Sequence, residues 1–145
     1  MNSLKAILAK PFAKRVSKSI KKWASKPVET QEKVFQNLIT EASSTVFGKD
    51  HDFSSINNHD DFIKRVPIRD YEALKSYVEK VVAGEPDILW KGKPIYFAKT
   101  SGTTSGSKYI PITKESMPSH VEAARNAILM YINCLLYTSP SPRDS

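Results

Sequence analysis

Lys99, Thr100, Ser101, Gly102, Thr103, Thr104, Ser105, Gly106, Ser107 and Lys108 form an unbroken polar run in this 145-residue chain. Thr100, Ser101, Thr103, Thr104, Ser105 and Ser107 bring hydroxyls, and a lysine closes each end. Glycine permits positive φ, so backbone N–H groups can turn into one concavity. Hydroxyls add donors without charge, and each lysine adds a compact cation on a flexible stem. Such a set can cradle a polyphosphate through charge-assisted hydrogen bonds. The order differs from the P-loop, where four residues separate the glycines and lysine directly follows the second. Here three residues separate Gly102 from Gly106, and Ser107 stands before Lys108. Composition alone also describes a flexible surface turn.

The flanking elements define how the run is held. Ile95–Ala98 and Tyr109–Ile112 are short β runs, so the loop joins two strands. Upstream, Asp70 caps a helix from Tyr71 to Ala83 with Leu74, Tyr77, Val78, Val81 and Val82 inward, and Gly84 stops it. Asn58 caps a shorter helix through Arg65 that is expected to bury Phe62, Ile63 and Val66. Pro67 ends it. Residues 48–58 are polar and turn-rich and read as loop, with Gly48 closing the region before them. A helix from Pro27 carries Val34, Phe35, Leu38, Ile39 and Ala42 on one face, with Glu29 and Glu32 in its first turn. A last helix starts near Thr113 or Ser116 and runs through Val121, Ala124, Ile128, Leu129 and Tyr131. Four or five helices around one β pair are expected. The fold class is α+β, mostly helical.

Residues 1–26 differ from the rest. Lys5, Lys10, Lys14, Arg15, Lys18, Lys21, Lys22 and Lys26 stand there with no acid among them. Eight cations against a chain total of +7 leave the remainder at −1. The body of the chain is therefore not basic, and nucleic acid is not an expected partner. Leu4, Ile7, Leu8, Phe12, Val16, Ile20 and Trp23 recur at helical spacing, with Pro11 marking a kink or a late start. A basic amphipathic helix can lie on an anionic membrane surface or partner. Docking of its apolar stripe on a larger protein is the commoner use and is favoured over membrane contact. No apolar run approaches the roughly 18 residues of a membrane span.

Cys134-Leu135-Leu136-Tyr137-Thr138-Ser139-Pro140-Ser141-Pro142-Arg143-Asp144 resembles the translation of a transposase adapter used in DNA sequencing libraries. Residues 134–145 are therefore expected not to belong to the natural protein, which continues past Asn133. Residues 1–133 contain no cysteine, which fits a cytoplasmic protein. His51, His59 and His120 lack metal-ligand spacing and read as surface or capping residues. Asp50, Asp52, Asp60 and Asp61 read as caps and turns. Arg69 reads as part of a solvated helix start, and Tyr96 and Phe97 as sheet packing.

The ordered string Thr100-Ser101-Gly102-Thr103-Thr104 with Lys108 resembles the phosphate loop of the adenylate-forming superfamily. The superfamily usually has glycine at position 105 and proline at 107, where this chain has Ser105 and Ser107. Residues 45–51, 66–72, 84–90 and 94–125 are similar to bacterial members of the auxin-responsive promoter family, relatives of plant acyl acid amido synthetases. That resemblance implies an N-terminal portion, 27–133, of a large α/β adenylation domain. It implies ATP and Mg²⁺, a carboxylic acid and an amine (an amino acid in the plant relatives) as substrates, and a segment inactive by itself. Ser101, Gly102, Thr103, Thr104, Ser105 and Gly106 would cradle phosphate, and Lys108 would neutralise charge or hold the loop's shape. The rival reading is a small basic helical interaction module.

Overall fold

The computed structural model describes residues 4–100 and 106–137, with side chains from Ala9 to Thr100 and from Gly106 to Cys134. The chain divides into two compact units, Gln31–Met117 and Met1–Thr30 with Pro118–Ser145. The described elements are α1 (Leu4–Ala24), α2 (Pro27–Ala42), α3 (Val46–Asp50), α4 (His59–Arg65), α5 (Tyr71–Val82), β1 (Tyr96–Lys99), β2 (Tyr109–Ile112) and α6 (Met117–Tyr137), with a 3-10 turn at Phe53–Ser55. The class is α+β as expected, with one helix more than the sequence suggested.

In the unit 31–117 the core is Ile39, Ala42, Phe53 and Ile56, with Phe35, Phe47, Phe62, Val66 and Trp90 against it. Ile39 and Ala42 sit on the expected apolar face of α2, while Val34 and Leu38 on its margin are exposed. Phe47 meets Phe53 and Tyr77 edge to face, at 5.9 and 5.2 Å between centroids, the arrangement that aromatic quadrupoles favour.

The additional helix is α3, and Gly48 lies inside it instead of ending a helix. The reason is steric. A Cβ at Gly48 would stand 2.1 Å from the Ala42 carbonyl oxygen, so only glycine lets the backbone come this close. The open donors at the start of α3 all find acceptors. Val46 and Phe47 N–H donate to the carbonyls of Asp87 and Ile88, and Lys49 N–H to that of Thr45. Gly48 N–H donates to Thr45 Oγ1 at 3.0 Å. Thr45 is fully buried, and its hydroxyl donates in turn to Ala42 O at 2.7 Å. Thr45→Val keeps the volume but leaves Gly48 N–H without an acceptor. It is expected to cost about 1–3 kcal/mol, measurable as a lowered denaturant midpoint at unchanged m-value.

Helices α4 and α5 start where their caps place them. Asp61 N–H donates to Asn58 Oδ1 and Ala73 N–H to Asp70 Oδ1, both at 2.9 Å. Gly84, at φ +88°, follows α5, with Gly84 N–H on Val81 O and Glu85 N–H on Lys80 O. This is the left-handed ending that glycine makes easy. Two expected core residues are exposed, Ile63 on α4 and Val82 on α5. Both stand at the margin of an apolar arc wider than the surface available to cover it.

β1 and β2 pair antiparallel, Tyr96 with Ile112 through Lys99 with Tyr109. Tyr96 and Phe97 do not pack inside a sheet. Both are exposed, because the hairpin carries no third strand among the described residues.

In the other unit α1 is continuous across Pro11, so the proline marks no late start. The cost is the hydrogen bond its missing N–H would make. Of the expected stripe, Val16 and Ile20 are half-buried, and the side chains of Leu4, Ile7 and Leu8 lie outside the described residues. Ala13 and Ser17 are buried, whereas Phe12 and Trp23 are 64% and 53% exposed. A groove of about 330 Å³ is lined by Phe12, Arg15, Val16 and Ser19 of α1 and by Glu122, Arg125, Asn126 and Leu129 of α6. Val121, Ile128 and Tyr131 of α6 point to solvent. No described helix is long and apolar enough to cross a membrane.

Candidate nucleotide-phosphate site

The polar run sits at the turn of the β1–β2 hairpin. Thr100 N–H donates to Lys108 O at 3.1 Å, which extends the ladder to the root of the polar run. Ser101, Gly102, Thr103, Thr104 and Ser105 lie outside the described residues. Gly106 is described. It takes φ +81° with open space where a Cβ would be, as a cradle-forming glycine requires.

Both lysines at the root lie against aromatic faces. Lys108 Nζ is 5.4 Å from the centroid of Tyr71, and Lys99 Nζ is 5.8 Å from that of Tyr109. Both distances fall within cation–π range. Among the described residues no carboxylate forms an ion pair with either lysine. Their charge therefore stays available to an anion at the tip. Tyr109 also meets Phe97 edge to face, 6.2 Å between centroids. Helix α5 supports the downstream root: Tyr109 N–H donates to Tyr71 Oη at 2.9 Å. A cleft of about 150 Å³ lies between α5 and the hairpin, lined by Tyr71, Lys75, Val78, Val82, Ser107 and Tyr109 among others. The sequence reading missed Tyr71. Its position directly after the Asp70 cap was visible, but its contact with Tyr109 was not.

A second cluster lies in the same unit. His51 was expected at the surface or as a cap. It does follow α3 as its cap residue, but its side chain is buried, stacked on Phe47 at 4.1 Å. His51 Nε2 is 2.7 Å from Arg69 Nη1, and Nδ1 is 2.7 Å from Phe47 O. Arginine only donates, so Nε2 accepts and Nδ1 carries the proton that Phe47 O receives. Arg69 also lies 5.9 Å over the Phe47 ring. It is part of this packing and not a solvated helix start. Tyr77 donates to Asp50 Oδ2 at 2.8 Å. Burial first, and that carboxylate second, push the Tyr77 phenol above its ordinary value. Asp52, at φ 48°, is held below the usual carboxylate range by hydrogen bonds from Ser55 and Ser54. Asp52 serves a turn, as read, whereas Asp50, read as a cap or turn residue, anchors Tyr77 from 27 positions away. Residues 45–51 and 66–72, which carried part of the family resemblance, thus meet in this cluster, and residues 87 and 88 of the stretch 84–90 accept the Val46 and Phe47 N–H groups beside it.

The chain matches the GH3 family N-terminal domain over residues 16–139, a range that passes Asn133 into the stretch read as adapter-derived. It belongs to the GH3 family. Among curated relatives, it is 39% identical over 62 residues to indole-3-acetic acid-amido synthetase GH3.15 of Arabidopsis thaliana, covering 41% of this chain and 10% of that protein. It is 29% identical over 102 residues to GH3.2 of the same plant, covering 69% and 19%. It is 41% identical over 58 residues to a probable indole-3-acetic acid-amido synthetase, GH3.13, of Oryza sativa subsp. japonica, covering 39% and 12%. The chain thus spans no more than about a fifth of these relatives' length. The family expectation from the sequence is met, including the place of the segment in an N-terminal domain.

Proposed function

We propose that this chain is the N-terminal segment of a cytoplasmic, ATP-dependent ligase that joins a carboxylic acid to an amine, and that the hairpin loop holds the ATP phosphates. The observation that carries the reading is the loop root: Lys99 and Lys108 rest on aromatic faces, with no carboxylate paired to either among the described residues, at the two ends of the glycine- and hydroxyl-rich run. The relatives' names as amido synthetases support the ligase class and make an amino acid the first amine to test.

In the first half-reaction a carboxylate oxygen attacks the α-phosphorus of ATP. The bond from that phosphorus to the bridging oxygen breaks, and pyrophosphate leaves. In the second the amine nitrogen attacks the acyl carbon, the bond to AMP breaks, and the amine gives up a proton. Charge gathers on phosphate oxygens in the first step. Donors from Ser101, Gly102, Thr103, Thr104, Ser105 and Gly106 would meet it without reorganising, and Lys108 would neutralise it. Among the described residues no group of three His, Cys, Asp or Glu could hold a metal ion. No step is therefore assigned to Mg²⁺ through this segment, which by itself would not carry the reaction. Residues 134–145 are taken as adapter-derived, with the ligase's reading frame continuing past Asn133.

The test is acid-dependent exchange of labelled pyrophosphate into ATP by the ligase encoded by the continuing frame. Exchange that requires a carboxylic acid supports the reading. A stop codon shortly after Asn133, or a long frame whose product shows no exchange with any acid, overturns it in favour of a small interaction module.

A further inference from the structure

We propose that Tyr71 is a positioning residue for the phosphate loop, fixing its downstream root through its hydroxyl and presenting Lys108 through its ring. The inference rests on the phosphate-cradle reading above and adds a residue that lies outside the polar run.

The geometry assigns Tyr71 two separate contacts on consecutive residues. Its oxygen accepts from Tyr109 N–H at 2.9 Å, so β2 is tied to α5 where the loop ends. Its ring face lies 5.4 Å from Lys108 Nζ. Lys108 O in turn receives Thr100 N–H, which carries the restraint across to the upstream root. Tyr71 is itself fixed, since it opens α5 directly after the Asp70 cap.

An aromatic partner suits this task better than an acid. A lysine stem is flexible, and confining it before the ligand arrives lowers the ordering cost of binding. A carboxylate would confine it but would cancel its charge and compete with phosphate. A ring face attracts the ammonium through its quadrupole and adds no formal negative charge. Lys108 is thus half-buried, placed, and still positive.

The test uses the complete ligase with Tyr71→Phe and Tyr71→Leu, each alone and combined with Lys108→Ala. ATP affinity without acid, KM and kcat for exchange, amide formation from supplied acyl-adenylate, and the melting temperature of the unliganded protein are measured. Tyr71→Phe keeps the ring and loses the anchor, so ATP affinity is expected to fall about threefold. Tyr71→Leu loses both contacts, and a fall of about tenfold is expected. In the Lys108→Ala background the leucine change should add no more than about twofold beyond Tyr71→Phe, since the ring then has no cation to place. Amide formation from acyl-adenylate should be unchanged. Equal losses from Tyr71→Leu with and without Lys108, or losses in both half-reactions with a lowered melting temperature, overturn the positioning role. So do Tyr71 variants that match an active wild type, and in that case the phosphate reading stands. A wild-type ligase without exchange overturns both.

Discussion

Lys108→Ala in the complete ligase is expected to slow acid-dependent pyrophosphate–ATP exchange by about one to three orders of magnitude, the range for removing one well-placed electrostatic contact. No described carboxylate neutralises this ammonium, so its charge is not already spent on a protein partner. Gly102→Val is expected to be at least as damaging. Under the proposed phosphate cradle, a β-branched residue would narrow the backbone conformations open at this position and add bulk to the phosphate-binding run. Amide formation from supplied acyl-adenylate should suffer less, because pyrophosphate is by then gone. Circular dichroism of each variant separates a lost contact from a lost fold. Full exchange in both variants would reduce the loop to a surface turn.

Gly48→Ala is expected to destabilise the unit 31–117 by about 3 kcal/mol or more, through overpacking against backbone. The added Cβ meets Ala42 O at 2.1 Å and Ser43 Cα at 3.1 Å, and neither belongs to a side chain that could swing away. Gly84→Ala is the informative contrast. Its added Cβ meets nothing nearer than Lys93 Nζ at 3.9 Å, so only the φ of +88° opposes it, for about 1 kcal/mol. Urea titration of the two variants separates lack of space from backbone preference. Equal midpoints would show that the close approach at Gly48 relaxes easily.

The sequence made some of this legible and hid the rest for identifiable reasons. Helices α2, α4 and α5 were readable because their signals are local: a first-turn proline, the Asn58 and Asp70 caps, and apolar spacing. The hairpin was readable from two β runs around a polar loop. Helix α3 was not, since its donors are satisfied by carbonyls at 87 and 88 and its glycine answers to the backbone at Ala42. On α1 the small buried residues were missed, because periodicity ranks large apolar side chains, whereas Ala13 and Ser17 are buried. In the loop the residue types were evident, and the order of Thr100 to Thr104 with Lys108 gave them meaning beyond composition. Tyr71 stayed hidden because it and Tyr109 meet across 38 positions, a separation no spacing rule reaches.

The tie between α3 and residues 87–88 also sets an order of events at the ribosome. A helix of five residues cannot stand alone in water. Two of its opening donors wait for carbonyls roughly forty residues further along the nascent chain. Until that stretch has left the exit tunnel, Val46 and Phe47 lack their acceptors, and the contacts Phe47 makes with His51, Phe53 and Tyr77 lack their anchor. A pause taken while the aromatic cluster is outside the tunnel and residues 87–88 are still within it therefore prolongs the exposure of that cluster, the kind of surface that chaperones and neighbouring chains capture.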